Sequence, residues 1–538
     1  MTGSERVRWS GSGTVGFEPA DVYAAIDALD ETVYVLRGQS GRIGAVTGGQ
    51  VGAFGEYGVL AAAAPVPPER LGSAAFQAAH GVRYAYMSGA MANGIASEEL
   101  VIALAKAGYL ASFGAAGLLP ERIGKALDRF AAEIPGLPYA ANLIHSPSEE
   151  RLERSGVDLF LARGVRCVEA SAFMDLTPNI VRYRAAGLSR AADGSVVTAN
   201  RVIAKVSRPE VAERFIRPAP EAILAKLVAS GDITAEQAEL AKLVPVADDI
   251  TVEADSGGHT DRRPLPALLP VILRQRDQLV REHGYTTRVR VGAAGGIGTP
   301  DTAAAAFFAG ADYIVTGSVN QSCVEAGTSA QAKALLAQAG IADCDMAPAA
   351  DMFEMGVELQ VLRRGTLFPM RAKQLYEIYR TCAGIDAIPA EARQRIEKQL
   401  FRRPLDEVWA ETVEYFQRRD PEQIARAADN PKRKMALIFR WYLGMSSRWA
   451  KVGEGDRVPD YQIWCGPAMG AFNAWTHGTY LAAPENRYVV DVARHLMRGA
   501  AFHQRVAALR AAGVALSAAC ASYQPAPVEE TEQAAALR

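Results

Sequence analysis

The stretch VRVGAAGGIGTPDTAAAAFFAGADYIVTGSVN, residues 289–320, sets two short runs rich in β-branched residues on either side of an alanine-rich segment, and each run ends in glycine. Thr299 has the character of an N-cap, Pro300 suits the first helical position, and Gly310 ends the segment. The stretch therefore reads as strand, turn, helix, strand, turn. The same alternation extends outward along the chain. Candidate strands are YAYMS (84–88), GYLAS (108–112), YAANL (139–143), VRCVEA (165–170), RVIAKVS (201–207), DITVEA (249–254), RVRVGA (288–293) and DYIVTG (312–317), separated by helical patterns such as SEELVIALAKAG behind Ser97. Eight strands with crossover helices predict an α/β fold, a (β/α)₈ TIM barrel, with an open doubly wound sheet as the alternative.

Sequence beyond the barrel divides the chain further. Residues 1–70, with DVYAAIDALDETVYVLR and the proline-rich APVPPE, read as a small N-terminal cap and linker, and 71–344 as the barrel. Residues 345–480 read as a large helical insertion after strand eight, carried by MRAKQLYEIYRTCAG, PAEARQRIEKQLF, PLDEVWAETVEYFQRR and PKRKMALIFRWYLGMSSRWAK. Such a length must fold on its own, and its position at the catalytic face suits a lid or a docking surface. Residues 481–515 are apolar at helical spacing and suited to close the barrel, and 516–538 read as a disordered tail.

Composition narrows the function. The 538 residues are 49% hydrophobic, and 58 basic side chains face 60 acidic ones, so no global charge bias points to nucleic acid. The six cysteines have no CxxC or CxxH spacing, which argues against a metal site or a disulfide framework and fits a reducing compartment. No apolar signal core or membrane-length run is present, so a cytoplasmic enzyme with no membrane partner is expected.

In a barrel of this kind the turns after strands seven and eight commonly hold phosphate, because glycines let backbone N–H groups approach the anion. Gly295, Gly296, Gly317 and Ser318 stand in those places. The spacing of Gly292, Gly295 and Gly298 is not the dinucleotide fingerprint. After strand six, EADSGGHT offers a flexible turn at Ser256, Gly257 and Gly258 and then His259. Lys205 is a charge inside the apolar run of strand five, where it needs a partner, and an anionic cofactor atom would serve. Asn142 at the end of strand three could bond a heteroaromatic edge, and Ser88, Gly89, Ala90 and Met91 after strand one can lie along a flat ligand.

Together with FEMGVELQVLRRGTLFPMRAKQLYEIY and DYQIWCGPAMGAFNAW, these motifs resemble the PfaD-type trans-acting enoyl reductases of polyunsaturated fatty acid and trans-acyltransferase polyketide synthases, within the nitronate monooxygenase-like FMN barrels. The resemblance spans from about residue 15 to about residue 515. It implies FMN, NADPH and an enoyl thioester tethered to an acyl carrier protein, whose α,β-double bond is reduced by hydride passed from NADPH through FMN. Carried over, Asn142 and Lys205 match flavin-contacting positions, Gly295, Gly296, Gly317 and Ser318 the phosphate turns, and His259 the active-site histidine. His259 could polarise the thioester carbonyl or deliver the proton, and Lys205 could stabilise charge on the flavin. A homodimer is left open.

The alternatives are a nitronate monooxygenase, which has no need of so large an insertion, and a non-catalytic synthase scaffold. An inosine-monophosphate-dehydrogenase-like enzyme would need a cysteine after strand six, where this chain has DSGGHT. In the insertion, Lys432, Arg433, Lys434, Arg440, Arg448 and Lys451 lie among Trp441, Tyr442 and Trp449 and form a candidate basic face for an acidic carrier protein, with a solvated helix face as the competing reading.

Overall fold

The computed structural model describes residues 7–38, 41–145 and 150–527. Eight parallel strands close into a barrel: β1 (Tyr86–Ser88), β2 (Leu110–Phe113), β3 (Ala140–Ile144), β4 (Cys167–Ser171), β5 (Arg201–Val206), β6 (Asp249–Glu253), β7 (Arg290–Ala294) and β8 (Ile314–Thr316). The ring closes where Ile314, Val315 and Thr316 pair with Tyr86, Met87 and Ser88. Every residue of β2 and β4 is buried, as expected of a parallel sheet covered on both faces.

A buried ion network pins the N-terminal end of the barrel. Asp249 opens β6 and accepts from the Arg290 guanidinium, which opens β7, at 2.6 and 2.8 Å, and it lies 2.9 Å from His80 Nε2. Burial raises the Asp249 pKa, but the charges of His80 and Arg290 outweigh it and hold the carboxyl at about 2.

After β7 the chain enters helix α1 (Pro300–Phe308), where the Thr299 hydroxyl accepts from the Thr302 N–H as the N-cap. The last long helix, here α4 (Val489–Ala511), packs against α1 and completes the outer ring. Between β8 and α4 lies the insertion, whose principal helices include α2 (Leu405–Arg419) and α3 (Pro431–Val452).

Three expectations are corrected here. The insertion does not begin as helix: β9 (Cys344–Pro348) and β10 (Glu358–Leu362) form an antiparallel hairpin, and Gly258–His259 adds a third strand to it. Asp345 and Pro348 are poor strand formers, so this strand owes its existence to its partner and not to local preference. The segment expected as a small cap and linker is more extensively folded than that. It contains a five-stranded sheet in the order Ile43–Thr47, Val33–Arg37, Tyr57–Ala63, Arg8–Ser10, Gln50–Gly52. Arg505 of α4 is fully buried and donates to the carbonyls of Ile26, Ala28, Leu29, Glu31 and Ala64, which ties the cap to the barrel's last helix.

The third correction concerns the tail, which is packed as far as residue 527. Ala518–Ala521 form a short helix, and the Tyr523 hydroxyl lies 2.8 Å from His495 Nδ1 in a buried site. One aromatic ring with a bonded hydroxyl outweighs the polar composition around it. The rest of the expected disordered tail, 528–538, lies outside the described residues. Among the described residues no helix is long and apolar enough to cross a membrane.

Candidate active site

A cavity of about 610 Å³ opens at the C-terminal end of the barrel strands. It is lined by Gly89, Ala90, Met91, Asn142, Lys205, Ser256, Gly257, Gly258, His259, Gly295, Gly296, Gly317 and Ser318. Every site residue expected from sequence therefore lines this cavity, with one exception. Ser88 is fully buried and does not line it, because its hydroxyl accepts from Asn320 Nδ2 at 2.8 Å within the barrel.

Glycine is required at the turn after β7. Gly295 and Gly296 have φ of +84° and +72°, a region that side chains with a Cβ rarely enter. A Cβ on Gly295 would stand 2.6 Å from the Ala254 carbonyl carbon, whereas around Gly296 and Gly317 the equivalent space holds no atom within 4 Å. The two turns thus leave an open cradle bounded by backbone, into which an anion can come close. The loop after β6 is held from behind by the insertion. A Cβ on Gly257 would meet Cys465 N at 2.7 Å, and Gln360 Nε2 donates to Asp255 Oδ1 and the Ser256 carbonyl, both at 2.8 Å.

Lys205 has protein partners of its own. Its Nζ donates to Glu253 Oε1 at 2.9 Å, and Ser256 Oγ donates to the same oxygen at 3.1 Å. Burial alone would lower the lysine pKa, yet the carboxylates of Glu253 and Glu169 raise it, so the ammonium is held charged. Glu169 of β4 is fully buried and accepts from the Ala90 N–H at 2.8 Å. Burial raises its pKa, with the Lys205 charge opposing. Asn142 Nδ2 donates to the Glu169 carbonyl at 3.0 Å and to Ser171 Oγ at 2.9 Å. With both amide protons committed, its oxygen is the atom left for a ligand.

His259 sits in the strand paired with β10, where it is opposite Leu359. Its Nε2 lies 3.2 Å from Asp351 Oδ1. Burial would lower the histidine pKa, but the Asp351 charge and hydrogen bond raise it above its ordinary 6.5, while Asp351 is held below the usual carboxylate value. This pair favours the protonated imidazole, which suits a hydrogen-bond donor or a general acid.

Sequence reasoning missed Glu169, Glu253 and Asp351. Glu169 interrupts the apolar run VRCVEA in the same way that Lys205 interrupts its own, so the signal was present. Asp351 lies 92 residues from His259 and carries no local mark. The basic face expected on α3 is largely committed inside the chain. Lys432 Nζ donates to the carbonyls of Tyr379 and Cys382, Arg433 to Gln423 Oε1 at 2.5 Å, Lys451 to the Asn93 carbonyl, and Lys434 lies over the Trp409 ring. These cations hold the insertion together and join it to the barrel.

Comparison with known proteins follows the same division of the chain. Residues 382–461, which include α2 and α3, match the family model of the inserted helical domain of [acyl-carrier-protein] S-malonyltransferase. A polyunsaturated fatty acid synthase polypeptide of a Thraustochytrium species is 55% identical over 447 residues, 82% of this chain but 30% of that protein. The polyketide biosynthesis protein PksE of Bacillus subtilis is 45% identical over 446 residues, 82% of this chain and 58% of its own length. This chain therefore corresponds to only part of these curated relatives. The crystal structure of the enoyl reductase domain of MlnA, from the macrolactin biosynthesis cluster of Bacillus amyloliquefaciens, superposes with a TM-score of 0.78 at 39% identity, covering 83% of this chain and 99% of that domain.

Proposed function

Since the chain belongs to the PfaD-type family of enoyl reductases of polyunsaturated fatty acid and polyketide synthases, we propose that it is a trans-acting enoyl reductase. In this reading it uses NADPH and FMN to reduce the α,β-double bond of a 2-enoyl thioester carried by an acyl carrier protein. The observation that carries the reading is the cavity in which glycine turns, a charged lysine and a proton-holding histidine meet. The identity to the MlnA enoyl reductase domain over 99% of that domain supports it.

The residues present fit a flat cofactor with a phosphate tail. The Gly295–Gly296 and Gly317–Ser318 turns would hold the phosphate, Ala90 and Met91 would lie along the ring, and Asn142 and Lys205 would meet the ring's polar edge. FMN bound there supplies the two-electron chemistry that links NADPH to an activated double bond. Lys205 brings a fixed positive charge to that wall, and Glu253 with Ser256 holds it in place. Glu169 braces the Ala90 backbone from beneath. With Nε2 held by Asp351, Nδ1 of His259 is the nitrogen left to act on the thioester, either by donating a hydrogen bond to its carbonyl oxygen or by delivering a proton to the α-carbon. Arg440, Trp441 and Leu437 of α3 also line the cavity.

The test has two arms with the purified protein: anaerobic NADPH oxidation with a pantetheine-linked 2-enoyl thioester, and oxygen consumption with a nitroalkane in the absence of NADPH. NADPH consumption in the first arm and no oxygen consumption in the second are expected. The reverse pattern would make the protein an oxidase of nitroalkanes or nitronates.

A further inference from the structure

Two cysteines that no step above uses are in contact behind the cavity. Cys344 Sγ donates to Cys465 Sγ at 3.9 Å, although the two lie 121 residues apart in sequence. Their place is the root of the insertion's hairpin and helices. Cys344 opens β9, where it pairs with Leu362, and Cys465 follows the bridge between Val361 and Trp464 on the returning chain. Between them lie β9, β10, α2 and α3. Outside them the outgoing and returning segments pack on each other, for Asn473 Nδ2 donates to the carbonyls of Leu336 and Ala339, both at 2.8 Å. The root also backs the cavity wall. The Cys465 N–H donates to the Gln360 carbonyl at 3.4 Å, and the Gly466 N–H donates to Ser318 Oγ at 3.0 Å. A Cβ on Gly466 would stand 2.8 Å from Gly257 N, so this segment lies directly against the loop that leads to His259.

We propose that Cys344 and Cys465 are a redox-active dithiol whose closure to a disulfide staples the root of the insertion beside the cavity. In a reducing compartment such a pair stays open at rest and closes only under an oxidant. The two sulfurs differ in reach. Cys344 is partly exposed and Cys465 is fully buried. Its hydrogen bond with Cys344 and its burial push the Cys465 thiol well above its ordinary value. Cys344 is therefore the sulfur that a hydroperoxide meets first. Its thiolate attacks hydrogen peroxide: an S–O bond forms, the O–O bond breaks, and the departing hydroxide takes up the proton that Cys344 lost. Cys465 then attacks the Cys344 sulfenic sulfur, the S–S bond forms, the S–O bond breaks, and the leaving hydroxide carries off the Cys465 proton as a second water. Peroxide accepts the two electrons that the sulfurs give up, and a dithiol reductant reverses the closure. A cross-link restrains the unfolded chain more the longer the loop it closes, and this one encloses the hairpin and the helices together. In the folded chain it fixes Gly466 against the Ser318 turn and β10, with Gln360, against the loop before His259.

The experiment treats the purified full chain with hydrogen peroxide and compares the parent with C344S and C465S. Unreduced peptide mapping of the treated parent should recover the peptides of Cys344 and Cys465 joined, two hydrogens lighter than the dithiol. Thermal unfolding of the joined form should rise by about 5 °C and return on adding dithiothreitol. Amide hydrogen exchange at residues 256–259 and 464–466 should slow in the joined form. C465S should stop at a Cys344 sulfenic acid, captured by dimedone, and C344S should show neither an adduct at Cys465 nor the rise in unfolding temperature. Cys382, also partly exposed, reports within the same map whether peroxide acted on the chain. Its oxidation with no joined peptide would overturn the dithiol, as would a temperature rise shared by C344S or absent from the joined parent. A joined peptide with unchanged exchange at 256–259 would overturn the coupling to the cavity.

Discussion

Replacing Gly296 separates the cradle's two requirements, conformation and space. Its φ of +72° lies in the left-handed region, and its Cβ direction is open for 4 Å. Valine would be a genuine outlier there, and a strained residue of this kind costs about 1–3 kcal/mol. Against a typical folding stability of about 5–15 kcal/mol the protein should remain folded. Asparagine tolerates this backbone region, so G296N should lose about 1 kcal/mol or less. Both side chains nevertheless fill the space that an approaching phosphate must enter. G296N should therefore unfold at nearly the parent temperature yet purify with little flavin, and G296V should lose both stability and flavin. The assay is visible flavin absorbance per protein after purification, with thermal unfolding followed on the same samples. A folded G296N with full flavin content would refute the cradle. Loss of flavin in proportion to stability across the two variants would show that strain, and not occupancy, was responsible.

Other variants address the remaining groups. H259A should lower NADPH-dependent reduction of an enoyl thioester by about 10²- to 10⁴-fold, while NADPH-dependent reduction of an artificial electron acceptor changes little; equal losses would leave His259 a mere wall residue. Because Asp351 raises the His259 pKa, enoyl reduction that needs the protonated imidazole should fade as pH rises through a value above 6.5. D351N should move that decline to lower pH, and an unmoved profile would remove Asp351 from the pair. K205M would strip the cation from the partly buried Glu253 while Glu169 stays buried, and breaking a fully buried pair costs about 3–5 kcal/mol, an upper bound here. Thermal unfolding should show a large drop, with no drop meaning that solvent already satisfies the carboxylates. Reversing Lys432, Arg433 and Lys434 to glutamate should impair turnover of carrier-bound and short soluble thioesters alike, since these cations bond within the insertion. Selective loss of the carrier-bound reaction would restore them as a docking face.

What the sequence made legible was whatever is local. Each barrel strand leaves its own short apolar run, and each glycine turn after β7 and β8 is written in consecutive residues, so strands and glycine turns could be placed from them alone. Lys205 was visible as a charge in an apolar run, but its partner Glu253 lies 48 residues on and is brought beside it only by strand pairing. Asp351 reaches His259 because β9 and β10 fold back onto the loop after β6, a hairpin whose first strand has no strong preference to announce it. The positive charges of α3 were equally plain in sequence. That Lys432 is bonded to backbone carbonyls depends on neighbours such as Tyr379 and Cys382, some 50 residues earlier.

The central claim is that this cavity transfers reducing equivalents to a carrier-bound carbon–carbon double bond. Its most direct test is mass analysis of a 2-enoyl acyl carrier protein incubated anaerobically with the purified holoenzyme and NADPH. The carried acyl group should gain two hydrogens, in step with NADPH consumed, and H259A should abolish most of this gain. An acyl group that stays unsaturated while NADPH is consumed with the flavin bound would contradict the claim.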